Sequence, residues 1–151
     1  MKSVIVTGGA GFIGSHLVKS IKEKYPNCVV HVVDSITYAG NEKNLEDVEH
    51  ELHKIDIRFS KDLSPLENLK IDGIFHLAAE SHVDRSIENP HIFLETNVMG
   101  TVNMLDLGMK YFSDNPNFLF YHISTDEVFG SLDFNKAKFS EETPYDPKSP
   151  Y

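Results

Sequence analysis

The residues with the clearest chemical potential stand near the start of the chain. Gly9-x-Gly11-x-x-Gly14, overlapped by Gly8-x-x-Gly11-x-x-Gly14, follows the apolar run Val4-Ile5-Val6-Thr7 and opens a helical pattern. Glycines at this spacing permit a tight turn after a strand and let a pyrophosphate approach the backbone at Gly11. Gly14 lets the helix pack on the strand with its N-terminus, at Phe12 and Ile13, aimed at the anion. Asp34 comes 20 residues after Gly14, at the end of the next apolar run, where a carboxylate can accept hydrogen bonds from an adenosine ribose. That carboxylate would repel a 2′-phosphate, and Ser35 offers no compensating cation, so the expected cofactor is NAD rather than NADP. Ser15 stands where a Walker A loop would need lysine. The alternatives to weigh are a glycine turn without a ligand and a solvated strand-end acid.

Other chemistry is weaker on spacing alone. Ser124-Thr125-Asp126-Glu127 places polar residues at the end of the run Phe118 to Ile123, but a bare Asp-Glu pair is usually a surface feature. A Ser-His nucleophile built from Ser124 and His122 is not expected. Among eight histidines, neither His50-x-x-His53 nor His76 with His82 has a third ligand at metal-site spacing, so no metal is expected.

The elements that must hold these residues follow from periodicity. Val4 to Thr7, Val29 to Val33, Ile71 to Leu77 and Phe118 to Ile123 read as short buried strands. Phe12 to Tyr25 carries apolar residues at Ile13, Leu17, Ile21 and Tyr25, a helical spacing closed by Pro26-Asn27. The longest helix follows Pro90, with an apolar face of Leu94, Val98, Val102, Leu105, Met109 and Phe112. Continuous apolar strands separated by helices predict an α/β fold, a Rossmann-type doubly wound parallel sheet with helices on both faces. From Gly130 onward, with Pro144, Pro147 and Pro150, a surface loop is expected.

With 151 residues, 40% hydrophobic and 25% charged, the chain has the make-up of one ordinary domain spanning 1–151. The net charge of −9 is concentrated in residues 76–151, which carry 5 basic and 12 acidic groups. Such a field argues against nucleic acid, and no apolar run suggests a membrane. The single cysteine, Cys28, allows no intrachain disulfide, so a cytoplasmic location is expected.

Thr7-Gly8-Gly9-Ala10-Gly11-Phe12-Ile13-Gly14-Ser15-His16 resembles the opening of the extended short-chain dehydrogenase/reductases. Thr37-Tyr38-Ala39-Gly40-Asn41, His76-Leu77-Ala78-Ala79-Glu80-Ser81-His82-Val83-Asp84-Arg85-Ser86 and Ser124-Thr125-Asp126-Glu127-Val128-Phe129-Gly130 are similar to the dTDP-glucose 4,6-dehydratase branch. The resemblance covers the whole chain. It implies transient oxidation of dTDP-glucose at C4 by bound NAD, loss of water across C5 and C6, and hydride return to C6. It makes Glu127 the base at C5, and Asp126 the acid at the C6 hydroxyl, a role that calls for a buried carboxyl that keeps its proton. Tyr151 becomes the base for the C4 hydroxyl, and Thr125 a hydrogen-bond partner of the same oxygen.

By the same resemblance Asp56 and Ile57 border the adenine, Ala78 and Ala79 allow close cofactor approach, and Ser81 lies near the sugar. Asn97 is expected to hydrogen-bond the backbone and shape the site. Ser149-Pro150-Tyr151 matches the start of a Tyr-x-x-x-Lys segment whose lysine lies beyond residue 151. A C-terminal substrate-binding part is expected there too, so residues 1–151 alone should be inactive. In the family, the helix corresponding to His91–Phe112 contributes to a homodimer interface. The rival readings are another nucleotide-sugar enzyme, such as a UDP-hexose 4-epimerase or UDP-sugar dehydratase, and a non-catalytic NAD-binding module.

Overall fold

Five parallel strands make one sheet in the computed structural model, which describes residues 1–132 and 138–151. They are β1 (Ser3–Thr7), β2 (Val29–Asp34), β3 (Glu51–Lys54), β4 (Gly73–His76) and β5 (Leu119–His122), in spatial order β3-β2-β1-β4-β5. Val4 pairs with Val30 on one side and with Gly73 on the other, so β1 is central and covered on both edges.

Alternation along the strands feeds two cores. Val4, Val6, Val30 and Val32 face one side and pack with Val18 and Ile21 of α1 (Phe12–Lys24). Ile5, Val33 and Ile74 face the other and pack with Met104, Leu107 and Tyr111 of a long C-terminal helix. Val4, Ile5 and Val6 are each 0% exposed, and burial of each such side chain contributes about 1.5–3 kcal/mol. Both faces of the sheet are thus closed by helices, as the strand composition predicts.

The helix faces differ from the expected ones. α1 buries Gly14, Ser15, Val18 and Ile21, whereas Ile13 and Tyr25 are exposed. A Cβ at Gly14 would overlap the Gly8 carbonyl, so the small residues define the side that packs and rotate Phe12 and Ile13 outward. The long helix runs through α2 (Val83–Glu88), a break at Asn89, α3 (Pro90–Phe93), a π-helical stretch at Leu94–Gly100 and α4 (Thr101–Asp114). The junction residues Leu94, Gly100 and Thr101 all keep right-handed helical dihedrals, so the last three segments form one continuous rod. Its expected apolar face is the outer one: Leu94, Val98, Val102, Leu105, Met109 and Phe112 are all 42–63% exposed. The buried face is carried by Phe93, Met104, Leu107, Gly108 and Tyr111. A Cβ at Gly108 would stand 3.0 Å from the Phe120 ring, which explains why this face lies closest to the sheet.

Short 3-10 turns at Glu42–Leu45, Ser60–Leu63 and Asp126–Phe129 complete the connections. Of the loop expected from Gly130 onward, residues 133–137 lie outside the described residues, and the described remainder carries no helix or strand. No helix among the described residues is long and apolar enough to cross a membrane.

Candidate functional site

β1 is followed in space by β2 on one side and β4 on the other, so the strand order reverses at its C-terminal end, where open parallel sheets place their ligands. A cleft of about 460 Å³ opens at this point. Gly8 (φ 67°) makes the turn out of β1, donating its N–H to Val33 O at 2.8 Å, and a Cβ on it would press on Ala78 N at 2.9 Å. The closeness of Ala78 to the loop therefore depends on Gly8. Gly11 caps α1 without a side-chain hydrogen bond, and the first helical bond is Ser15 N to Gly11 O at 3.0 Å. The N–H groups of Phe12, Ile13 and Gly14 precede that bond and have no helical acceptor. A Cβ at Gly11 would occupy the cleft, its nearest neighbours being Gly8 O at 3.2 Å and Ala39 O at 4.0 Å. This cradle fits a diphosphate: free donors, a helix N-terminus and no side chain in the way.

Asp34 ends β2 beside the loop and is nearly buried. One carboxylate oxygen accepts from Ala10 N at 3.0 Å, and the other accepts from Ile36 N at 2.8 Å. A carboxylate has about four acceptor positions, so two remain for the hydroxyls of a ribose. Ile36 has φ 51°, a left-handed conformation that costs a β-branched residue about 1–3 kcal/mol. The Asp34 bond holds it there. Gly40 permits the same packing, since a Cβ on it would come within 2.8 Å of Asp34 Oδ1.

Asp56 and Ile57 follow β3 and form the wall next to Asp34. The Asp56 carboxylate accepts from Arg58 Nε at 3.0 Å and Nη2 at 2.6 Å, and hydrogen bonding from that guanidinium holds its pKa below the usual carboxylate range. Asn103 of α4 donates to Ile57 O at 2.8 Å and to Arg58 O at 3.0 Å, which fixes this segment against the rod.

The opposite wall is organised by a buried polar thread. Thr7 Oγ1 accepts from Leu77 N at 3.1 Å and Ala78 N at 3.0 Å, leaving its own hydrogen for His76 Nδ1 at 2.7 Å. His76 Nε2 then donates to Thr101 Oγ1 at 3.0 Å, and Thr101 donates to Asn97 O at 2.7 Å. Every hydrogen has one place in this sequence, provided His76 is neutral, and burial lowers its pKa to about 4. The Asn97 side chain in turn clamps the backbone of Glu80, accepting from its N and donating to its O, each at 2.8 Å. Ala79, Glu80 and Ser81 are thereby held on the rim of the cleft. Tyr38 donates to Glu80 Oε2 at 3.2 Å, and the Arg85 guanidinium lies 3.8 Å from the centre of its ring.

The structure brings most of the expected site residues into this one cleft: Gly8, Gly11, Phe12, Ile13, Gly14 and Asp34 on one side, and Asp56, Ile57, Ala78, Ala79, Ser81 and Tyr151 around it. Tyr151 rests edge-on to Phe93, ring centres 6.2 Å apart. Ser124 reaches the cleft, but Thr125, Asp126 and Glu127 are outside the residues that line it. Asp126 and Glu127 are exposed in the 3-10 turn, and Thr125 Oγ1 accepts from Glu127 N at 3.2 Å as its cap. The burial expected for Asp126 is not supplied by these residues. Sequence reasoning missed Thr7, Thr101, Ile36 and Arg58. A fully buried threonine closing β1 directly after Val4, Ile5 and Val6 was the available signal for the first.

The fold and cleft agree with what the chain is similar to. It is 41% identical to the dTDP-glucose 4,6-dehydratase of Haemophilus influenzae, over 100% of this chain and 47% of that protein. It is 43% identical to the dTDP-glucose 4,6-dehydratase of Mycobacterium tuberculosis, over 98% of this chain and 44% of that one. The chain thus spans a little under half the length of the curated relatives it matches. Among solved structures, a Streptomyces venezuelae dTDP-glucose 4,6-dehydratase with NAD and TYD bound superposes with a TM-score of 0.85 at 43% identity, covering 99% of this chain and 47% of that one. A Thermus thermophilus UDP-glucose 4-epimerase complex with NAD gives 0.84 at 29% identity, covering 99% and 46%. The sequence model of one family, described as GDP-mannose 4,6 dehydratase, spans residues 5–151, from the first buried strand through the glycine cradle and the Thr125-Asp126-Glu127 turn to Tyr151, and to that family this chain belongs.

Proposed function

We propose that the chain supplies the NAD-binding part of a dTDP-glucose 4,6-dehydratase. The observation that carries the reading is the run Ser124-Thr125-Asp126-Glu127 at the C-terminal end of β5, on the same edge of the sheet as the glycine cradle. Oxidation and reduction at C4 alone need one base, whereas elimination of water across C5 and C6 needs an acid and a base besides. Two adjacent carboxyl groups at that edge meet the need. Relatives at 41% and 43% identity bearing the dehydratase name support the same reading.

NAD fits the cradle: the diphosphate on the free N–H groups of Phe12, Ile13 and Gly14, a ribose on the unused acceptor positions of Asp34, and the adenine against Ile57. When bound, it supplies hydride acceptance from sugar C4 and hydride return to C6. Tyr151 takes the proton of the C4 hydroxyl, with Thr125 hydrogen-bonded to that oxygen. Glu127 removes the C5 proton, made acidic by the 4-keto group, and Asp126 gives a proton to the departing C6 hydroxyl. Asp126 and Glu127 are exposed in these 151 residues, so the substrate and the remaining length found in the relatives must enclose them. Residues 1–151 alone bind NAD without turnover on this reading.

A homodimer and a cytoplasmic location belong to the same proposal. The exposed stripe on the rod supports the first, and the unpaired, buried thiol of Cys28 supports the second. The test is to incubate the chain, joined to the remaining length its relatives have, with NAD and dTDP-glucose. A 4-keto-6-deoxy product supports the reading. A C4 epimer without loss of water would replace it with the epimerase reading, and dehydration of UDP-sugars alone with that of a UDP-sugar dehydratase.

A further inference from the structure

The outer edge of the sheet holds a cluster that this reaction does not use. His31 on β2 stands in register with Glu51 on β3, and His53 follows two residues later on the same face of β3. His31 Nδ1 lies 3.1 Å from His53 Nε2 and 3.1 Å from Glu51 Oε2. The three ligand atoms all lie within 4.8 Å of one another, and among the described residues no other trio of His, Cys, Asp or Glu does so.

Hydrogen bonding alone leaves this trio short. With both rings neutral, one hydrogen is shared across the His31–His53 contact, and the carboxylate only accepts. A hydrogen on His31 Nδ1 faces two acceptors. A hydrogen on His53 Nε2 instead leaves the His31 lone pair directed at a carboxylate oxygen. Burial lowers the pKa of both imidazoles, so their lone pairs are free at neutral pH. A divalent ion replaces the shared hydrogen and takes a lone pair from each group. Tetrahedral bonds of about 2.0–2.1 Å put ligand atoms about 3.3–3.4 Å apart, so the two contacts of His31 need only a few tenths of an ångström, and rotation of the exposed Glu51 side chain sets the third separation, which lies within 4.8 Å. Two imidazole nitrogens and one carboxylate oxygen suit zinc, whereas magnesium and calcium prefer oxygen alone.

We propose that His31, Glu51 and His53 form a zinc site, with a fourth position open to water. The Glu51 side chain is 60% exposed and gives the ion a way in. The site is structural in effect, because it ties the four-residue edge strand β3 to β2, and β3 leads directly into Ile55, Asp56 and Ile57 on the wall of the cleft. Sequence spacing had paired His53 with His50, but the His50 ring is turned to Val48 O at 2.8 Å. His31 lies on another strand, where no spacing rule looks for it.

The test uses tag-free, chelator-stripped protein titrated with zinc against a chromophoric chelator, and with cobalt followed by visible absorption. One zinc equivalent should bind, with a cobalt spectrum of tetrahedral intensity. His53→Gln and Glu51→Gln should each weaken zinc binding by at least about 10–100-fold, while His50→Gln binds as the parent does. At zinc about 100 times Kd the unfolding midpoint of the parent should rise by about 5–10 °C, and those of the two ligand variants should not. Both substitutions lie on an edge strand and spare the buried His31 ring, and each checks the other if one fails to fold. Absence of saturable binding, or one-equivalent binding unchanged in both variants, would overturn the proposal.

Discussion

Asn97 reads both ends of a single residue's backbone: its Oδ1 accepts from Glu80 N and its Nδ2 donates to Glu80 O, both at 2.8 Å. The π-helical stretch of the rod is thereby fastened to the turn that follows β4. Asn97→Asp keeps the shape but removes the donor and sets a negative charge against a carbonyl oxygen. The expected cost is about 1–3 kcal/mol of stability, together with weaker NAD binding because Ala79 and Ser81 lose their support. Urea unfolding and calorimetric NAD titration measure the two; an unchanged midpoint and unchanged affinity would refute the clamp.

Asp34 should decide the choice of cofactor. NAD is expected to bind more tightly than NADP, since a 2′-phosphate would meet the carboxylate. Asp34→Ala narrows the gap between the two. It also frees the N–H groups of Ala10 and Ile36, so the affinity for both cofactors should fall. Equal or better NADP binding by the parent chain would sink this assignment.

His76 makes stability depend on pH. Its pKa in the fold is about 4 against an ordinary 6.5, so the unfolded chain takes up a proton first as the solution is acidified. The contribution is fully present above about pH 6.5, is lost between there and about pH 4, and amounts to about 3 kcal/mol. His31 and His53, also lowered by burial, add slope in the same direction. His76→Asn should flatten the dependence of unfolding free energy on pH across this window. A parent slope retained by the variant would place the titration elsewhere.

The exposed stripe on the rod should govern association. Joined to the remaining length of its relatives, the chain is expected to sediment as a homodimer, and Leu105→Glu or Met109→Glu should shift it toward monomer. Residues 1–151 alone should be monomeric or associate without fixed stoichiometry. A well-defined dimer that survives both substitutions would remove the rod from the interface.

The architecture was legible because alternation and glycine spacing are local. Val4-Ile5-Val6 announces a strand covered on both faces, and Gly8, Gly11 and Gly14 announce the turn it enters. Which side of a helix is buried was less legible. In α1 the deciding contact is the approach of Gly14 to Gly8, which a count of apolar residues passes over. The rod has two apolar faces, and their order depends on Gly108 meeting Phe120, a pairing between distant elements. The same limit hid the thread from Thr7 through His76 to Thr101. Each link joins residues far apart in the chain, and only the parallel register of β1 with β4 brings Thr7 opposite His76.

β1 precedes both of its sheet neighbours in the chain, yet it is the central strand. Val4 finds Val30 early and Gly73 late, although the longer closure costs only about 1 kcal/mol more in chain entropy. Delay, rather than entropy, is the hazard. At about 5–20 residues synthesised per second, some 2–8 s pass between completion of β2 and arrival of β4. Throughout that interval the β4-facing edge of β1 offers unpaired peptide groups flanked by Val4, Ile5 and Val6. Nascent chains on one message are therefore most vulnerable to strand exchange with each other while residues 35–76 are being made.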